Sequence, residues 1–140
     1  MPKISVKETE EFIDAGKAKF DLYKTTADGE VHNMTVTVRP ITVYEITELT
    51  RKALQNVEDP EQREKFSKMI RGDEHAVEDV PDNDIAMFNL YYFALYGAYS
   101  IRDSFDCDID KIVRLILSCD ASCLIELKNF AATISGFANG

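Results

Sequence analysis

Histidine occurs only at 32 and 75 of the 140 residues, and neither stands at a telling spacing from a Cys, Asp or Glu partner. Each therefore reads as a solvated or structural side chain. The six glycines are scattered at 16, 29, 72, 97, 136 and 140, so there is no glycine-rich loop to cradle a phosphate. Bases are the minority, 16 Lys and Arg against 25 Asp and Glu, for a net charge of −9. That balance argues against nucleic acid, whose affinity rests on Lys and Arg displacing counterions. It also argues against adsorption to anionic lipid. The uncharged run from Ile85 to Ile101 is 17 residues long. As a helix it would span about 25 Å, short of the ~30 Å hydrocarbon core. A buried core helix is expected there, and no membrane partner.

The three cysteines, Cys107, Cys119 and Cys123, are an odd number behind a polar Met1-Pro2-Lys3 opening. Reduced thiols and a cytoplasmic protein are expected. Cys119 and Cys123 lack the second close pair or the histidines of a zinc site and read as small buried hydrophobes. Asp106, Asp108 and Asp110 have the opening spacing of a calcium loop. The pattern then fails at its sixth position, Lys111, and its twelfth, Leu117. No metal, no cofactor and no catalytic residue is expected, and the protein reads as a non-enzyme.

What is present is a globular composition, 45% hydrophobic, in a length suited to one domain over residues 1–140. Ser5 and Glu8 have capping-box spacing before a short helix at about Val6 to Ala15, with Phe12 and Ile13 as its apolar residues. A hairpin is expected over about 19–39. Phe20 and Leu22 share one face with Met34, Val36 and Val38, the tight turn is at Asp28-Gly29, and Pro40 ends the pairing. The helical part runs from about 42 to 138. Thr42 and Glu45 form a second capping box, opening a helix to about Asn56 with an apolar stripe of Val43, Ile46, Leu49, Ala53 and Leu54. Asp59-Pro60 starts a polar helix to about Ile70, closed by Gly72. Residues 56–84 hold ten acids and four bases and read as a solvated face with a loop at 73–84. Asp82 or Asn83 is expected to cap the long apolar helix, which ends near Asp103 and sits at the centre of a bundle. Asp108 caps the next helix, and Asp120 or Ser122 the last. The fold class is mainly α (α+β), an N-terminal β-hairpin followed by a bundle of about five helices.

The junction is Thr37-Val38-Arg39-Pro40-Ile41-Thr42-Val43, where a strand hands over to the helix that begins Tyr44-Glu45-Ile46-Thr47-Glu48-Leu49. It resembles the tail assembly chaperones of long-tailed bacteriophages, in which a strand ends in an Arg-Pro-Leu-Thr-like step before a helix rich in Glu and Leu. Ile41 stands where leucine is usual, and the resemblance is centred on residues 19–56. It implies a non-catalytic protein that binds the tape-measure protein and keeps it soluble while tail-tube subunits assemble around it. Such chaperones are often made in two forms through a ribosomal frameshift, and the terminus at Gly140 would suit the shorter form. The tape-measure protein is the partner implied, with the tail-tube subunit and a further copy of the chain as the other candidates.

Helices with narrow apolar stripes can offer a groove to an amphipathic partner helix. Val43, Ile46, Leu49, Phe130, Ile134 and Phe137 are the candidate partner-binding residues, against the competing reading that all six are core. Two other functions stand beside the chaperone. One is a small structural or self-assembling virion or tail component that uses the hairpin edge. The other is a hydrolase or thiol enzyme that pairs one of the cysteines with a histidine.

Overall fold

The computed structural model describes residues 3–136, apart from the side chains of 13 and 14. Along the chain come α1 (Val6–Asp14), β1 (Ala18–Thr25), β2 (Val31–Val38), α2 (Val43–Gln55), α3 (Pro60–Ile70), α4 (Asp82–Ile101), α5 (Ile109–Leu117) and α6 (Ala121–Ile134). The architecture is mainly α with a small β part, one antiparallel hairpin followed by five helices.

In the hairpin, Phe20 faces Val36, Leu22 faces Met34 and Ala18 faces Val38. Leu22, Val36 and Val38 are buried, as the alternation predicts, whereas Met34 near the turn is partly open. The turn differs from the sequence expectation, because only Gly29 takes a positive φ, +85°. Thr26 N–H donates to the Glu30 carbonyl at 2.8 Å and Gly29 N–H to the Thr26 carbonyl at 2.9 Å. This is a three-residue loop, with an ordinary turn followed by glycine in the left-handed region.

The second half of α4 is the axis of the molecule. Every residue from Ala94 to Ile101 is buried, and α2, α5 and α6 all pack against this helix. Gly97 permits the closest approach, since a Cβ there would lie 2.8 Å from Leu127 Cδ2 of α6. The first half of α4 is less covered. Phe88 stacks on Phe66 of α3 with ring centroids 4.3 Å apart, but Met87 and Leu90 remain exposed. The helix ends at Ile101, and a 3₁₀ turn over Arg102–Ser104 takes up the remainder of the expected span.

Four expected caps are present and two are not. The Asp59 carboxylate accepts from Glu61 N–H at 3.0 Å. The hydroxyl of Ser5 accepts from Glu8 N–H at 3.0 Å. Asp108 accepts from Lys111 N–H at 2.9 Å. The Thr42–Glu45 box is closed in both directions. At the start of α4, however, Pro81 occupies the cap position without a side-chain bond, and Asp82 and Asp84 fall inside the first turn. There they face the positive end of the helix dipole. At the start of α6 the Asp120 carboxylate is turned away from the helix. It accepts Thr25 N–H at 2.9 Å and Thr25 Oγ1–H at 2.7 Å.

Candidate functional site

The junction begins where β2 stops pairing. Arg39 N–H donates to the Ser100 carbonyl at the end of α4, 2.9 Å away, so the strand exit is tied to the central helix. Pro40 has no donor to offer. Ile41 is buried, and its N–H donates to Ser135 Oγ beyond α6 at 2.9 Å. Thr42 then opens α2. The guanidinium of Arg39 holds Glu45 with two parallel bonds of 2.7 Å and Asp103 with a third of 2.7 Å. Arg102 Nη2 stands 3.2 Å from the same Glu45 carboxylate.

Glu45 is buried, only 2% exposed. Burial pushes its pKa up, but bonds from Arg39 and Thr42 outweigh burial and hold it below the ordinary carboxylate value. Arg39 is in turn held more firmly protonated, chiefly by Glu45. Two cations meet two carboxylates, and each is bonded. The residues that carry the family resemblance thus form a charge-balanced clasp between β2, α2 and the end of α4, with no group placed as a nucleophile or proton shuttle.

The candidate partner-binding residues divide between surface and core. Val43 is 83% exposed, Ile46 is half-buried and Leu49 is fully buried. The buried line of α2 is Glu45, Leu49 and Ala53, because Arg39 draws Glu45 inward and turns Val43 out. Phe130 and Ile134 are half-buried against the core, with the Phe130 ring 5.6 Å from Phe20 of the hairpin. Phe137 lies outside the described residues. Both helices pack on α4, and the described members of the set form no common groove. Leu49 in particular has no surface to offer a partner.

Of the titratable groups that chemistry would need, His32 and Cys119 line one cavity of about 240 Å³ beside the hairpin, where the Cys119 thiol donates to the Leu115 carbonyl at 3.6 Å. His32 and His75 are exposed and lie near Glu30 and Glu78 respectively. Cys107 is exposed, Cys119 half-buried and Cys123 buried. Burial pushes the Cys119 thiol up to about 11, and burial also raises Cys123, which suppresses thiolate formation at neutral pH. Among the described residues no group of three or more His, Cys, Asp or Glu could hold a metal ion. No helix among the described residues is long and apolar enough to cross a membrane.

A site the sequence reading missed lies between the C-terminal end of α2, the start of α3 and the first half of α4. This cleft measures about 620 Å³. Its apolar lining includes Val57, Phe66, Met87, Leu90, Tyr91 and Leu117, and its rim carries Glu58, Asp59 and Asp84. Met87, Leu90 and Leu117 are 66%, 42% and 44% exposed. The signal for it was present: α4 is apolar nearly all round, yet the neighbouring α3 has few large apolar residues with which to cover it.

Fold and site together define a mainly α domain with a small hairpin, closed by a charge clasp and carrying an open apolar cleft on α4. Compared with protein-family models, curated proteins and solved structures, the chain matches none.

Proposed function

We propose that this protein is a non-catalytic tail assembly chaperone of a long-tailed bacteriophage. In the host cytoplasm it binds the tape-measure protein and keeps it soluble during tail assembly. The observation that carries this reading is the apolar cleft on α4, open to solvent at Met87, Leu90 and Leu117. An exposed apolar groove between helices is the surface on which an amphipathic helix docks. The clasp at Arg39 and Glu45 supports it by giving a physical role to the strand–Pro–Thr–helix step that resembles the chaperones. Co-expression with the tape-measure protein is the test. The soluble fraction of that protein should rise several-fold, and an unchanged fraction would remove the assignment.

The second reading, a self-assembling virion or tail component, rests on the hairpin edge. One end of each strand is already covered: Tyr23 N–H donates to Cys123 Sγ, Thr25 N–H to Asp120, and Thr37 N–H to Ser104 Oγ. Toward the turn, Val31 and Met34 of β2 are 56% and 46% exposed, leaving a short stretch for strand addition. Rings of the purified chain in electron micrographs would favour this reading over the chaperone.

A further inference from the structure

We infer that the α4 cleft takes a cationic amphipathic helix, about two turns of which lie along α4 with Lys or Arg flanking the apolar stripe. This rests on the protein-binding reading above and names the chemistry of its partner.

The length comes from α4. Asp84, Met87, Phe88 and Tyr91 line the cleft at i, i+3, i+4 and i+7, one face of the helix over about 10 Å. Phe88 is already covered by Phe66, so the seats left open are Met87, Leu90 and, from α5, Leu117. An apolar stripe of matching period fits these seats, and the flexible Met87 side chain can adapt to its shape.

The charge comes from the rim. No Lys or Arg lines the cleft. Among the described residues, no base lies at ion-pair distance from Glu58, Asp59 or Asp84; their polar partners are the start of α3 for Asp59 and Gln62 for Asp84. Three carboxylates around an apolar floor favour a basic ligand and oppose an acidic one. That selects among occupants. The chain's own α1 is amphipathic and exposes Val6 and Phe12, but its sequence carries Glu8, Glu10, Glu11 and Asp14 against Lys7 alone. A second copy also brings a net charge of −9. Both are repelled at this rim.

The test uses two labelled synthetic helices of about five turns with leucine at i, i+3, i+4 and i+7. One carries lysine at the flanking positions and the other glutamate, and binding to the full chain is read by fluorescence anisotropy. The lysine helix should bind at least about tenfold more tightly, and its affinity should fall as salt rises. Leu90→Lys and Met87→Lys should each weaken it about tenfold, with circular dichroism unchanged because both side chains are already exposed. A chain with Glu58→Gln, Asp59→Asn and Asp84→Asn together should lose most of the salt dependence, and asparagine at 59 still caps α3. Equal binding of the two helices, or unchanged binding by Leu90→Lys, would overturn the inference. Co-expression separates it from the chaperone reading. Solubility of the tape-measure protein rescued equally by wild type and Leu90→Lys would overturn the cleft and leave the chaperone. Rescue lost in Leu90→Lys would support both. No rescue by a wild type that still binds the lysine helix through Leu90 would overturn the chaperone and support the cleft.

Discussion

Glu45 shows how one buried side chain can serve several neighbours. Its carboxylate accepts from Arg39 twice and from the Thr42 N–H, and it meets Arg102 as well. Glu45→Gln removes a charge that two arginines share, leaving Arg39 with Asp103 alone. We expect a loss of about 2–3 kcal/mol in urea denaturation at neutral pH. The pH dependence has a definite sign. Because Glu45 has a lowered pKa in the folded state, its contribution is complete above the unfolded value of about 4.3. It is lost as pH falls through the folded value. The gap between wild type and Glu45→Gln should therefore be constant from neutrality down to about pH 5 and close below about pH 4. A gap that widened in acid would contradict the clasp. The cysteines give a second prediction at this scale. Cys107 is exposed, whereas Cys119 and Cys123 are at least partly buried with raised pKa values. A colorimetric thiol reagent at neutral pH should titrate one thiol per chain quickly and the other two only after denaturant is added.

Among the elements, α4 and α6 are fixed by a glycine and α6 and the hairpin by an aspartate. At Gly97 a Cβ would press on Leu127 and approach Ile116 Cδ1 at 3.4 Å. Alanine there gains helix propensity against a tight contact, but valine brings two further methyl groups. Gly97→Val should destabilise by about 2 kcal/mol, read as a lower denaturation midpoint at unchanged slope. Asp120 joins Thr25 on β1 to the start of α6. Asp120→Ala should raise hydrogen exchange at the Thr25 amide while the amides of the first turn of α6 keep their rates, because the carboxylate does not cap that turn. Faster exchange in the α6 turn alone would restore the capping role. The pKa of Asp120 is lowered, first by the Thr25 N–H, so this link too weakens as acid protonates the carboxylate.

For the whole molecule, the distribution of cover matters more than its amount. The described side chains of α1 are all exposed, so α1 adds little to the core despite its capped start. A chain shortened to begin at Gly16 should keep its denaturation midpoint, with a change in stability within about 0.5 kcal/mol. A large loss would mean that α1 packs in solution. The opposite holds for the helices around α4, where fully buried Tyr99, Leu95, Ile116 and Leu127 come from three different helices. Truncation inside α6 should unfold the whole.

Much of this was legible in the chain. Element types and most ends follow from local physics: Ser5, Thr42, Asp59 and Asp108 cap, Pro40 and Gly72 punctuate, and the period-two run from Val31 pairs back on β1. These signals act within a turn or two of their own residue, so sequence alone determined them. The fold class followed in the same way. Tertiary structure decided what period cannot, because burial belongs to two surfaces and a helix carries only one of them. Val43 and Leu49 lie on the same predicted stripe, yet Arg39, reaching across from β2, turned one out and the other in. Asp120 read as a cap until the hairpin claimed its carboxylate. The apolar run of α4 read as wholly interior, and only the thin cover given by α3 left Met87 and Leu90 in an open cleft.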